Sequence, residues 1–218
     1  MEKLDKFYEK VNGSYFGIIG YIISAISVII AQMLYMESDP SFSMSTNFIS
    51  DLGTGPNGSN FVFNIGMIIT GFFFMLFYVY IGLYLQKIND NVKSLKVGIT
   101  AGIIGSIGMI LVGIFPLNPN DRFSYNMHII AAGILFYGVL IMLLIYGTYE
   151  SRNQEIPKLL SIIGFITAGL YGVFMTAVII QYLASVPFQA YTYIIEWIGS
   201  YSAGLWIITH VYYILKHK

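Results

Sequence analysis

Residues 61–85 read FVFNIGMIITGFFFMLFYVYIGLYL, an apolar and aromatic run without a charged side chain. A helix rises about 1.5 Å per residue, so about 20 residues cross the roughly 30 Å of hydrocarbon in a bilayer. Backbone polar groups find no water in that layer, and a helix satisfies them within one segment. The stretch therefore predicts a membrane-spanning α-helix.

Five further apolar stretches of similar length surround this one. The six predicted spans are Ser14–Met36, Phe61–Leu85, Val97–Pro116, Tyr125–Tyr146, Leu159–Leu183 and Ala190–Leu215. Charged residues make up 10% of the chain, against about 25% in soluble domains. The spans leave no room for a separate soluble domain. We therefore expect residues 1–218 to form one all-α domain, a polytopic bundle of six transmembrane helices.

The basic residues are divided unequally between the two sides that these spans create. Ten of the 11 Lys and Arg residues fall in the segments before the first span, after the second and fourth spans, and after the sixth; Arg122 is the exception. The positive-inside bias then predicts an integral protein of the cytoplasmic or plasma membrane, with both termini cytoplasmic and Glu37–Asn60 outside. Because the basic residues are scattered over short segments, nucleic-acid binding is not indicated.

Several kinds of chemistry find no signature in the chain. It has no cysteine, which excludes a thiolate metal site and a Cys nucleophile. The helices carry no HxxxH, HExxH or ExxH pattern, so no metal or cofactor is predicted. A GxSxG element is also lacking. Enzyme status is therefore left open by the sequence.

The outer loop between the first two spans is rich in Ser, Asn, Asp, Gly and Pro, which favour turns. Its apolar residues Phe48, Ile49 and Leu52 predict that it folds back onto the bundle. That would hold Asn47, Ser50 and Asp51 near the membrane surface. The alternative is that Ser50 and Asp51 cap a short helix that ends at Gly53.

Polar residues also lie at the outer ends of other spans. Asn64 is in the first turn of the second span, and Gln181 is near the end of the fifth. His128 follows the loop that contains Asp121 and Arg122. An imidazole at this position can donate, accept or bind metal; the alternative for His128 and Gln181 is a structural hydrogen bond. His210 and His217, near the inner end of the last span, have no acidic neighbour within an apolar stretch and are interpreted as structural.

Glu196 is the acid that lies well inside an apolar stretch. Six to eight residues from the outer end correspond to a depth of roughly 9–12 Å. An unpaired carboxylate there costs on the order of 3 kcal/mol. We expect Glu196 to face the bundle interior, with Thr192, Gly199 and Ala203 on the same face, and to meet a polar side chain of another span or water.

All three outer loops, or the span ends beside them, contribute to one predicted polar cleft. Its candidate ligand-binding residues are Asn47, Ser50, Asp51, Asn64, Asp121, Arg122, His128, Gln181 and Glu196. Such a set is suited to binding a lipid headgroup or to general acid–base work. In a catalytic version, His128 is the acid or base, oriented by Asp51, Arg122 holds phosphate, and Glu196 is a second proton donor.

Two segments carry a family resemblance. Asn47, Ser50, Leu52 and Gly53 fit an Asn-x-x-Ser-x-Leu-Gly element, and Gly113, Phe115, Pro116, His128, Ala131 and Phe136 fit a Gly-x-Phe-Pro … His … Ala … Phe element. Together they resemble the six-span family called domain of unknown function 998. They are more distantly similar to the FGF-receptor-activating-protein/DRAM family, whose members are linked to glycosylphosphatidylinositol remodelling, lipid organisation and autophagy. The nearer resemblance implies a fold and two candidate positions, Asp51 and His128, but no reaction.

The leading hypothesis is recognition of a membrane lipid or glycolipid headgroup in the outer cleft, with or without remodelling chemistry. One alternative is a non-catalytic subunit or scaffold that binds a membrane-protein partner or a second copy of the chain. The other is a proton-coupled small-molecule transporter that uses Glu196.

Overall fold

The computed structural model describes residues 2–88 and 92–217. Within them the chain is helical, with no strand. A short α1 (Glu2–Lys10) precedes six long helices, and one 3₁₀ helix (Ile49–Thr54) lies in the loop after the first of these. The long helices are α2 (Ser14–Met36), α3 (Ser59–Lys87), α4 (Val92–Ile114), α5 (Arg122–Arg152), α6 (Lys158–Ala184) and α7 (Ala190–Lys216). Each corresponds to one predicted span, mostly with bounds a few residues wider.

Five of the long helices, α2 to α6, are long and apolar enough to cross a membrane. The chain is therefore a helical membrane protein. In the described residues α7 does not reach the same hydropathy, although its 27 residues make it as long as α6. Tyrosines, Glu196 and His210 account for its lower hydropathy. Six spans thus remain a prediction.

The six long helices form a closed ring. Each packs against the next in sequence, and α7 returns to pack against α2. The segment between α2 and α3 lies at one end of the ring, here called the loop end. Residues of α1 and the last turn of α7 meet at the opposite end, the terminal end, where Tyr8 and His217 line one pocket.

Glycines allow close approach between α4 and α5. A Cβ added at Gly108 would lie 2.3 Å from the backbone nitrogen of Leu135, and one at Gly138 would lie 2.7 Å from that of Gly105. Since real Cβ atoms do not come so near to backbone atoms, larger residues would push α4 and α5 apart.

The loop folds back onto the ring, which confirms the expectation from its apolar residues. Leu52 is fully buried and Phe48 is 6% exposed. The 3₁₀ helix packs against α2, α3 and α7, and Leu52 shares a buried cluster with Phe63 of α3 and Trp197 of α7. Side chains of the loop are thereby placed over the interior of the ring.

Candidate functional site

A cavity of about 150 Å³ lies inside the ring beneath the 3₁₀ helix. All six long helices and the loop contribute to its walls, and most of the lining is apolar. The polar or hydroxyl-bearing side chains that line it are Tyr21, Ser24, Ser50, His128, Tyr171, Glu196 and Ser200. The cavity is thus an apolar chamber with a small set of polar groups, the usual character of a small-molecule site.

Glu196 faces this chamber, as predicted. It is 6% exposed, and Thr192 and Gly199 on the same helix face are also buried. Its partner differs from the expected side chain of another span: Oε2 accepts a hydrogen bond from the backbone N–H of Ile49, at 2.7 Å. The first residue of the 3₁₀ helix has a free N–H because no helical carbonyl precedes it. The loop therefore supplies the polar contact that the depth of Glu196 requires.

Trp197 reinforces this connection. Its indole Nε1–H donates to the backbone carbonyl of Asn47, at 3.0 Å. Successive residues of α7 thus hold the backbone of the loop at both an N–H and a C=O. Sequence reasoning missed Trp197, because an aromatic residue near a span end is typical of an interfacial belt.

His128 is 3% exposed and lines the cavity from α5. Its Nδ1 lies 2.7 Å from the carbonyl oxygen of Phe115, at the end of α4. A carbonyl only accepts, so Nδ1 carries a hydrogen. In the neutral ring Nε2 then presents a lone pair, and the imidazole is an acceptor for a ligand.

Asp51 does not orient His128. Its Oδ2 accepts from the backbone N–H of Phe48, at 2.9 Å, and from Nδ2 of Asn47, at 3.5 Å. No hydrogen bond joins Asp51 to His128 within residues 2–88 and 92–217. The carbonyl of Phe115 takes the orienting role instead, and Asp51 caps the short helix, the alternative that the loop composition left open.

The cap is partly buried, and this changes the acidity of Asp51. Burial raises its pKa from the usual 3.8 to about 6, while the hydrogen bonds from Phe48 and Asn47 oppose the rise. Asp51 also interacts electrostatically with Glu196. Two carboxyl groups therefore lie on the loop side of the cavity, where Glu196 and Ser50 line its wall and Asp51 does not.

Two other candidates have structural hydrogen bonds. Nδ2 of Asn64 donates to the carbonyl of Gly53, at 3.0 Å, and fastens α3 to the loop. Gln181 is 4% exposed; it donates to Tyr191 and Thr192 and accepts from the backbone N–H of Gln189. Both amides join helices to neighbouring loops, and neither lines the cavity.

Asp121 and Arg122 lie apart from the chamber. Asp121 is the N-cap of α5, where Oδ1 accepts from the N–H groups of Phe123 and Ser124. Arg122 is exposed. Neither residue lines the cavity, so a phosphate-holding role for Arg122 inside it has no geometric basis.

A second buried polar contact lies towards the terminal end and involves His210, for which no acidic neighbour within an apolar stretch was expected. Nε2 of His210 is 2.8 Å from Oε1 of Glu150, and both residues are buried. The predicted span ended at Tyr146, whereas α5 continues for six more residues. Because Glu150 fell outside the predicted span, it was not considered as a partner.

The chemistry of the chamber is that of hydrogen bonding. Among the described residues, no group of three or more His, Asp or Glu side chains is placed to hold a metal ion. The chamber combines an imidazole nitrogen, a carboxyl group and hydroxyl groups with apolar walls. It can therefore hold the polar end of an amphipathic molecule.

Residues 18–213 match the model of a family described as "Protein of unknown function (DUF998)", and the chain belongs to that family. Neither the curated proteins nor the solved structures include a match to it.

Proposed function

We propose that this member of the DUF998 family binds a membrane lipid with a hydroxyl-bearing, uncharged headgroup in the loop-end cavity. The observation that carries the proposal is that His128 and Glu196 both line a mostly apolar chamber. Burying such groups is costly unless they meet hydrogen-bond partners. A lipid offers hydroxyl groups to them and acyl chains to the apolar walls.

The polar groups favour an uncharged headgroup over a phosphate. Nε2 of His128 accepts a hydrogen bond, and the Glu196 oxygen that Ile49 does not contact is available to a ligand. Ser50 and Tyr171 add hydroxyl groups. No Lys or Arg from the described part of the chain lines the cavity, whereas phosphate recognition normally uses such cations. Diacylglycerol is the simplest lipid with the required chemistry.

The membrane arrangement that accompanies this proposal has six spans. α7 closes the ring between α6 and α2, and its Glu196 and His210 point to buried partners rather than outward. Such a helix can cross a bilayer at modest cost because its polar groups are satisfied within the protein. With the basic residues on the cytoplasmic side, the loop end faces outward and both termini face the cytoplasm.

The test is lipid retention by the purified protein. The full chain is incubated with vesicles of phosphatidylcholine that contain either diacylglycerol or phosphatidylglycerol, purified in mild detergent, and examined by native mass spectrometry. We expect retention of diacylglycerol. His128→Asn should reduce it up to roughly tenfold, as expected for the loss of one hydrogen bond, whereas the exposed Glu155→Gln should not.

Three outcomes would contradict the proposal. Retention of phosphatidylglycerol alone would overturn the uncharged headgroup. Equal retention of diacylglycerol by the wild type and His128→Asn would show that the cavity is not the binding site. A lipid-free protein with a stoichiometric protein companion would favour the scaffold hypothesis instead.

A further inference from the structure

The Glu150–His210 pair lies beyond the end of the cavity that is opposite Glu196. Glu196, Ser200, Gly204 and Ile207 of α7 line the cavity, and His210 follows Ile207 by three residues on the same helix face. Glu196 and His210 are separated by 14 residues, or about 21 Å of helix. One face of α7 thus runs from the outer carboxyl group, along the chamber, to the buried pair.

An aromatic layer fills the ring between the cavity and the terminal end. The rings of Phe77 and Tyr78 of α3 lie 6.1 and 6.2 Å from that of Trp206. The ring of Trp206 in turn packs against that of His210 at a tilt of 36°, with ring centroids 4.1 Å apart. This layer and the pair beside it lie between the chamber and the terminal end, and none of these residues lines the chamber.

The hydrogen bonds of His210 fix the number of protons in the pair. Nδ1 lies 2.7 Å from the carbonyl oxygen of Trp206, which only accepts, so Nδ1 carries a hydrogen. The 2.8 Å contact between Nε2 and Oε1 of Glu150 then requires one further proton, on either atom. If that proton leaves for water, two lone pairs face each other at hydrogen-bond distance and repel.

A vacant acceptor adjoins this shared proton. Oε2 of Glu150 is buried and, in the described part of the chain, has no hydrogen-bond partner. Ionisable side chains near the pair include Tyr146, which precedes Glu150 by one turn of α5 and interacts with it electrostatically. They also include Tyr78 of α3, whose carbonyl accepts from the Tyr146 hydroxyl. On the α6 side, Phe165 packs next to Gly147 of α5. Neither of these neighbouring ionisable side chains of the described residues is a cation.

The pair also joins helices that are not ring neighbours. α5 packs against α4 and α6, and α7 against α6 and α2. The contact from Glu150 to His210 therefore spans the interior of the ring. We infer that Glu150 and His210 form a proton-binding site that holds α7 to α5 and keeps the chamber closed towards the terminal end. Release of the shared proton breaks this link and lets the chamber open there.

Nitrogen NMR of the full chain, labelled at its three histidines, tests whether Glu150 and His210 share a proton. His210→Gln assigns the ring signals. Nε2 of His210 should show a shared proton in the wild type and become a simple acceptor nitrogen in Glu150→Gln, whose amide still donates to it. Glu155→Gln is the matched control. A wild-type Nε2 that already is a simple acceptor, unchanged in Glu150→Gln, would overturn the inference.

Closure is tested by accessibility, which needs no knowledge of the cavity ligand. Ala203→Cys places a single thiol at the cavity wall. In proteoliposomes, an impermeant thiol reagent should modify it from the loop-end face. Adding Glu150→Ala should raise modification from the opposite face at least about tenfold, and Glu155→Ala should not. An unchanged rate from the opposite face would refute closure by the pair even if lipid binding were confirmed.

Discussion

Oε2 of Glu196 lies 2.7 Å from the backbone nitrogen of Ile49, so a carboxyl group of α7 accepts from the first residue of the 3₁₀ helix. The adjacent Trp197 donates to the carbonyl of Asn47. The loop that connects α2 and α3 is thus held by α7, the helix that closes the ring against α2. This contact gives the cavity its roof and brings Ser50 and Asp51 to the carboxyl group.

Substitutions of Glu196 should show how much its hydrogen bond to the loop contributes to stability. Glu196→Gln keeps an oxygen that accepts from Ile49, so we expect stability close to wild type. Glu196→Leu leaves that buried N–H without an acceptor and should cost roughly 1–3 kcal/mol. Thermal unfolding in detergent and the rate of proteolysis within residues 38–58 measure the difference. Equal behaviour of the two variants would show that the contact does not stabilise the loop.

Docking of the loop should depend on pH through Asp51. Its pKa of about 6, raised from 3.8 by burial, means that the folded state binds the proton more tightly than the unfolded loop. Between pH 3.8 and 6 the folded state therefore holds more protons, and stability falls as pH rises through this window, by at most about 3 kcal/mol. Asp51→Asn should remove this dependence while its side-chain oxygen still caps Phe48.

Trp197 is a suitable reporter for that experiment, because its indole donates to the loop. In a Trp206→Phe background it is the remaining tryptophan, since the chain has two. Its fluorescence can be followed against pH and denaturant. Glu37→Gln, which removes an exposed carboxyl group before the loop, is the control; a pH dependence that survives in Asp51→Asn but disappears in Glu37→Gln would contradict the assignment.

His128 should have two separable roles. An asparagine can place its amide nitrogen near the position of Nδ1 and keep the hydrogen bond to Phe115, so His128→Asn should change stability little. His128→Ala loses the bond that joins the end of α4 to α5 and should cost about 1–3 kcal/mol. Both variants lack Nε2 and should lose cavity ligand equally. Melting temperature reports the role of His128 in stability, and lipid retention reports its role in ligand binding. Normal lipid retention by either variant would refute the role in ligand binding.

Orientation can be tested with single cysteines, which the native chain lacks. Ser45→Cys lies in the exposed part of the loop and Glu155→Cys lies between α5 and α6. An impermeant thiol reagent on intact cells should label the first and not the second, because the basic residues flank the second. Labelling of Glu155→Cys but not of Ser45→Cys would show that the bundle has the opposite orientation in the membrane. Labelling at both positions would exclude an odd number of spans between them, and the predicted topology, which places three there, with it.

The sequence by itself determined the helices and their order. Continuous runs of apolar residues as long as a bilayer is thick satisfy their backbone groups as helices, so the positions of the helices follow from hydropathy. The buried residues of the loop were also predictable, because Phe48 and Leu52 stand among turn-forming polar residues. Hydropathy alone was less informative for α7, whose polar residues are satisfied only within the bundle.

Only the tertiary structure decided which polar groups meet. Glu196 is bonded to a backbone N–H of Ile49, 147 positions away, and a backbone donor leaves no trace in residue identity. His128 is oriented by the carbonyl of Phe115 rather than by Asp51, and Glu150 reaches His210 because α5 extends beyond its apolar run. Hydrogen bonds depend on distances of about 3 Å, and these are set by how the ring closes. Hydropathy along a chain carries no information at that scale.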